Sequence, residues 1–138
     1  MLNMILIDAG PLIALFDRSD RYHVQIKDFL QQGRYKLITT TAVMTEVLHM
    51  IDFNVEVQLD FLQWVALQGV LLQEISQQDI SRIIELTRKY SDRPMDFADA
   101  TLVIAAEKTG IRKIISIDTD FDIYRLPNKV QIENVFRI

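Results

Sequence analysis

The chain has 138 residues, 49% of them hydrophobic, with four Gly, three Pro and no Cys. That suffices for one compact domain spanning 1–138 and excludes disulfides, thiolate metal sites and a long disordered tail. Fifteen basic against nineteen acidic residues leave a net charge of −4, which argues against strong non-specific phosphate binding, although divalent ions held by site carboxylates would offset it.

In chain order, short apolar runs predict strands near 4–8, 36–39, 70–74 and 113–117, with a weaker one near 130–133. Periodicity of 3.6 residues predicts helices near 11–16, 22–32, 41–52, 55–68, 77–90 and 97–109. Thr40 or Thr41 is placed to cap the third helix, Ser76 the fifth and Asp96 the sixth, while Gly33, Gly69 and Gly110 fall where helices stop. The alternation is that of an α/β domain with a central parallel sheet. Val55, Leu59, Leu62 and Ala66, and likewise Ile80, Ile83, Ile84 and Leu86, are expected in the core; Trp64 is expected in packing or at a partner surface. The first apolar run ends at Asp8, too short for a signal peptide or a membrane span, so a cytoplasmic protein with no membrane partner is expected.

Four of those apolar segments carry an acid. Asp8 follows Met4–Ile7, Glu46 lies inside Ala42–Leu48, Asp99 inside Phe97–Ile104, and Asp118 follows Ile114–Ile117. A carboxylate on an apolar face is costly to bury without a partner. Asp8 and Asp118 stand at carboxyl ends of strands, where open parallel sheets bind ligands. Glu46 has Ala42, Val43 and Met50 at i−4, i−3 and i+4, and Asp99 has Leu102, Val103 and Ala106 at i+3, i+4 and i+7, so neither is expected on a solvated helix exterior. Oxygen ligands with no Cys, and only His23 and His49, point to Mg²⁺ or Mn²⁺ rather than zinc, and to metal-assisted phosphodiester hydrolysis. Each acid also has a plainer reading. Asp96 and Asp99 suit a helix start, Asp118, Asp120 and Asp122 suit a turn, and Asp8 can be the polar end of a strand. His23 is read as a helix-start residue rather than a general base, and His49 less still as a base.

Taken in order, the segments around these acids resemble the PIN-domain family, the small metal-dependent ribonucleases that include VapC-type toxins. The resemblance rests on Asp8 with Ala9–Leu15 after it, Glu46 in Thr45–Leu48, Asp96 and Asp99 in Met95–Ala100, and Asp118 and Asp120 in Ser116–Phe121. It implies a PIN-like three-layer α/β/α fold around a central parallel sheet of four to five strands. It further implies Asp8, Glu46, Asp99 and Asp118 as catalytic metal ligands for Mg²⁺ or Mn²⁺, with Asp96 and Asp120 as auxiliary acids. Ala9 and Gly10 stand where many members have Thr or Ser, which removes a hydroxyl beside Asp8, and Ser116 stands where Thr is common.

An RNA substrate needs cations near the acids, and Arg18, Arg21 and Arg93, with Lys89 and Arg125, are the candidates by sequence proximity. The resemblance also implies a small antitoxin partner and a homodimer, for which the hairpin 41–52 with 55–68, exposing Met50, Ile51 or Trp64, offers apolar surface. The alternative is a catalytically inert PIN-like module that binds RNA or protein. An aspartate-nucleophile phosphatase or receiver domain fits less well, because the first strand is followed only by Asp8, Ala9 and Gly10.

Overall fold

The structure, a computed structural model, describes residues 3–93 and 95–136. Among these residues are the strands β1 (Met4–Ile7), β2 (Lys36–Thr39), β3 (Val70–Leu72), β4 (Lys113–Ile115), β5 (Arg125–Leu126), β6 (Val130–Gln131) and β7 (Glu133–Asn134). The helices are α1 (Ala9–Phe16), α2 (His23–Gly33), α3 (Thr41–Met50), α4 (Val55–Ala66), α5 (Ile80–Lys89) and α6 (Phe97–Thr109). Five strands pair in parallel in the order β3-β2-β1-β4-β7, and β5 and β6 form a separate antiparallel ribbon.

Chain order runs outward from β1 through β2 to β3 and then resumes on the other side of β1 with β4. The sheet therefore has its topological switch point between β1 and β4, where a ligand crevice is expected. Ile5, Leu6 and Ile7 are fully buried, as are Ile114 and Ile115. Successive strand residues point to opposite faces, so helices must cover both sides of the sheet here. α1 packs on α2, α3 and α4, while α6 packs on α3 and α5. α6 is buried without interruption from Ala98 to Ala106, which its run of Ala, Leu, Val and Ile permits and which a surface helix would not show.

Caps set the helix starts. Thr40, not Thr41, caps α3 by accepting from Val43 N, Asn54 caps α4, and Asp96 caps α6. Ser76 caps a 3₁₀ turn, Gln77–Asp79, that precedes α5, so the fifth predicted helix starts in that tighter form. Gly110 ends α6 at φ +76°, a left-handed position that suits glycine. After α2 and α4 the left-handed residue is instead Arg34 or Gln68. Gly69 has a different reason to be glycine, since a Cβ there would meet the Trp64 indole at 2.1 Å.

Several expectations are corrected. The segment near 130–133 is not one strand: Val130–Gln131 pairs with β5, and the next strand, β7, joins the main sheet. Val55, Leu59, Leu62 and Ala66 lie exposed on α4, whose buried residue is Phe61; Ile80 and Ile84 are also exposed, while Ile83 and Leu86 are core. On the hairpin Met50 is exposed, but Ile51 is fully buried. Trp64 is half-buried against Phe16, with ring centroids 5.2 Å apart.

Candidate active site

β1 and β4 deliver two acids to the switch point. The β1–β4 ladder continues past Ile7, with Asp8 N donating to Ile115 O at 3.1 Å, which sets Asp8 beside Ser116. Asp8 is 7% exposed and caps α1, its Oδ1 accepting from Ala9 N at 2.8 Å. Its Oδ2 accepts from Ser116 Oγ at 3.1 Å. The hydroxyl absent at Ala9 is thus supplied from the neighbouring strand.

Ser116 is itself clamped by Asn134 of β7. Its N–H donates to Asn134 Oδ1 at 3.2 Å, and Asn134 Nδ2 donates back to its carbonyl at 3.0 Å. Asp118 follows in a turn, its Oδ1 accepting from Asp120 N at 2.8 Å.

The other acids come from α3 and α6. Thr101 Oγ1 donates to Ala98 O at 2.7 Å, which leaves Thr40 Oγ1 to donate across to Thr101 Oγ1 at 2.7 Å. The contact ties the start of α3 to the second turn of α6. Asp99, 8% exposed, accepts on Oδ2 from Tyr124 Oη at 3.1 Å, and Asp96 Oδ1 accepts from Asp99 N at 2.7 Å.

Asp8, Glu46, Asp96, Asp99 and Asp118 all line one cleft of about 270 Å³, closed on its apolar sides by Ile13, Met50 and Ile117. Among the described residues, no Lys, Arg or His lines it. Asp8 and Asp99 form its buried floor, whereas Glu46, Asp96 and Asp118 are exposed at the rim. The exposure of Glu46 corrects the sequence reading: the residue four places on, Met50, is itself 55% exposed, so the face they share borders solvent.

Electrostatics follow from this crowding. Burial pushes the Asp8 carboxyl up to about 7, with Asp118 and Glu46 adding to the rise and the Ala9 and Ser116 hydrogen bonds opposing it. Burial, then Asp8, Asp96 and Asp118, push Asp99 up to about 8 against the Tyr124 hydrogen bond. Glu46 is raised by partial burial and then by Asp96 and Asp118.

Asp120 lies outside the cleft's lining, in an adjoining hollow of about 230 Å³ with Arg93 and Tyr124. Partial burial and Asp118 raise its carboxyl, and Arg93 draws it back. Of the candidate cations, Arg93 alone stands beside the acidic residues in this way. Arg18 and His23 line a separate groove with Trp64, and Arg21 lies over the Tyr22 ring at 5.0 Å. Lys89 sits over Tyr90 at 5.3 Å, and Arg125 is spent on the Asp122 and Tyr124 carbonyls. His23 Nδ1 donates to Ala14 O at 2.7 Å, a structural tie between α2 and α1. His49 is exposed on α3.

Tyr124 and Asn134 were not singled out by sequence, for neither carries a motif. A buried Asn in the terminal strand, and a Tyr close behind the last acids, are the faint signals present.

No group of three or more His, Asp or Glu among the described residues forms a ready-made cage for a metal ion. Asp8, Asp96, Asp99 and Asp118 each hold at least one oxygen on a protein donor, which fixes their orientation and leaves lone pairs free. The chemistry of the set still fits a hard divalent cation: oxygen donors only, mutually repelling, with no basic side chain in the lining.

Fold and site together define a class, the parallel α/β domains with a carboxylate-lined crevice at the sheet's switch point. Within it the chain belongs to the PIN domain family, whose model matches residues 5–126. Ribonuclease VapC26 of Mycobacterium tuberculosis is 23% identical over 116 residues, 83% of this chain and 86% of that protein. The crystal structure of M. tuberculosis VapC20, described as a sarcin–ricin loop cleaving toxin, matches with a TM-score of 0.71 at 19% identity, over 84% of this chain and 91% of that one. At that identity the likeness is one of fold. No helix among the described residues is long and apolar enough to cross a membrane.

Proposed function

We propose that the protein is a Mg²⁺- or Mn²⁺-dependent ribonuclease that hydrolyses RNA phosphodiester bonds in the cytoplasm, as the toxin of a toxin–antitoxin pair. The observation that carries this reading is the cleft itself: five carboxylates on its lining, two of them buried, and no basic side chain among the described residues to neutralise them. Asp8, Glu46, Asp99 and Asp118 would hold the metal. When bound, a divalent cation offsets their charge, attracts a phosphodiester and acidifies an attacking water.

The chain's own residues set the geometry around that centre. Ser116 and the Ala9 N–H orient Asp8, Tyr124 orients Asp99, and the Asp96 cap fixes the turn that carries Asp99. Asp120 and Arg93 flank the rim, where Arg93 would meet a phosphate of the strand, and Arg18 and Arg21, which lie away from the cleft, would meet only more distant phosphates.

The test is cleavage of single-stranded RNA by the purified protein with Mg²⁺ or Mn²⁺, against Asp8→Asn and Asp99→Asn. Cleavage that needs the metal and fails in both variants, with melting retained, is expected. Undiminished cleavage by either variant rejects the site.

Ribonuclease activity is supported by the relative's name and the toxin role by the description of the solved neighbour, and a small antitoxin is the partner that role calls for. A homodimer is supported by the exposed strip of Met50, Phe53, Val55, Leu59 and Leu62 on the α3–α4 hairpin. A strictly monomeric species in light scattering would remove the dimer.

The inert-module alternative draws on one observation, the lack of a ready-made metal cage among the described residues. Calorimetry with Mn²⁺ separates the two readings, since no uptake favours the inert module.

A further inference from the structure

A second hollow adjoins the acidic cleft and shares Glu46 and Asp96 with it. It measures about 500 Å³ and is lined further by Ala42 and His49 of α3 and by Phe97 and Ala98 of α6. Phe97 directly follows the Asp96 cap and is 55% exposed, while the next two residues turn inward. A large aromatic ring therefore stands at the lip of the acids with much of its surface in water. Small side chains at Ala42 and Ala98 leave space beside it.

We propose that Phe97 and this shelf receive an unpaired nucleobase of the substrate adjacent to the scissile phosphate. The inference rests on the ribonuclease reading and adds the part of the substrate that reading leaves undefined. Charge selects the occupant. Asp96, which is outside the set that would hold the metal, borders the shelf with an acid that, among the described residues, no cationic side chain of the lining pairs, so a strand whose phosphate is held at the metal ligands puts its uncharged portion here. An aromatic face offers the stacking partner that any base accepts, which gives affinity with little sequence preference. A base inside a duplex is stacked on its neighbours and cannot reach the ring.

The experiment compares wild type, Phe97→Ala and Phe97→Trp. Binding of a short labelled single-stranded oligoribonucleotide is followed by anisotropy in Ca²⁺, and kcat/KM is measured in Mg²⁺. Each is repeated with an RNA made abasic on either side of the mapped cleavage position. Phe97→Ala should melt as wild type does, because the ring is exposed, and should lose about tenfold in binding and in kcat/KM, within the range that base–aromatic stacking gives. Phe97→Trp should restore both.

One abasic position should weaken wild type to the same extent and add nothing to Phe97→Ala. Equal binding and cleavage by Phe97→Ala and wild type on the intact RNA overturns the proposal. So does a Phe97→Ala variant that loses self-association while its RNA binding is unchanged, which assigns the ring to a protein interface. A wild type that neither binds nor cuts RNA overturns the ribonuclease reading and this inference with it, an outcome distinct from failure of the Phe97 variant alone.

Discussion

At the C-terminal end of α6, Glu107 accepts from Arg82 through Nε and Nη2 at 3.0–3.2 Å, and the next residue, Lys108, reaches Asp79 at 2.7 Å. At the N-terminal end of the same helix, Asp96 and Asp99 share a cleft with Asp8, Glu46 and Asp118 and with no basic side chain. The contrast separates charge that serves the fold from charge that works against it. Arg82 also holds Glu85 at 3.0 Å, so the paired end is a small network in which each acid has a cation. At the other end the compensation is limited to backbone N–H groups, single hydroxyls and the positive ends of α1 and α6, which Asp8 and Asp96 cap. A cluster that raises its own carboxyls this far is a candidate for function and a poor one for stability.

The sharpest way to break the comparison is to remove one acid from each end. Asp99→Asn should lower metal-dependent RNA cleavage on the order of a thousandfold or more, whereas Glu107→Gln should leave it near wild type. Thermal melts of the metal-free proteins at pH 8.5 should run the opposite way, with Asp99→Asn melting above wild type and Glu107→Gln below it. If Asp99→Asn melted lower, the idea of an uncompensated acidic end would fail.

The second effect is on pH. Asp8 sits at about 7 in the folded protein, well above an ordinary Asp, so the folded state holds its proton more tightly than the unfolded chain does. Stability is unaffected below about pH 4, where both states are protonated, falls as pH rises from there to about 7, and is level above that, where burial of the ionised group is felt in full. For Asp8 the loss is on the order of 4 kcal/mol, or roughly 10 °C in melting temperature, with Asp99 acting in the same direction. Metal-free melting temperature should therefore drop between about pH 4 and 8.5, and saturating Mn²⁺ at the upper end should reverse most of that drop. A flat profile without metal would contradict the buried, unpaired floor.

The acidic side of this contrast was legible in the sequence, and the paired side was not. Asp8 and Asp118 close apolar runs, and a carboxyl-terminal strand position already implies the crevice; Asp99 sits in an unbroken apolar helix and is buried as that pattern requires. Glu46 was misplaced because spacing shows which residues share a face but not whether the face is covered. The same gap put Val55, Leu59 and Leu62 in the core when they lie on the surface. β5, β6 and β7 are two residues long and carry no period to detect. The supports of the floor were invisible for a different reason: Tyr124 meets Asp99 across 25 residues and Asn134 meets Ser116 across 18, contacts that only the closed fold creates.

Tyr124 gives the third test. It is buried and donates to Asp99 Oδ2 at 3.1 Å, while its ring packs edge-on against Tyr90 and Phe121 at 5.0 and 5.2 Å. Burial and then the Asp99 charge push its phenol above the usual range, so it remains a donor throughout the working pH. Tyr124→Phe keeps the ring packing and removes only that donor. Mn²⁺ affinity in calorimetry should fall about tenfold with little change in metal-free melting, as expected when a group that orients a ligand is lost. Unchanged affinity would reduce Tyr124 to packing.

The smallest effect belongs to the paired end. Asp79 is held below the usual carboxylate range, first by the Lys108 hydrogen bond and then by the Ser76 N–H. A lowered folded value means the contribution is present above about pH 4 and is lost as pH falls through the folded value, the reverse of Asp8. Lys108 is about one-third exposed, so the pair is screened and is worth at most about 1 kcal/mol. Lys108→Ala should lower melting by a few degrees at neutral pH and low salt, by less in high salt, and not at all once Asp79 is protonated in acid. Cleavage should be untouched, because this pair lies at the end of α6 remote from the cleft; a Lys108→Ala variant with impaired Mn²⁺ uptake would mean that the two ends of the helix are coupled.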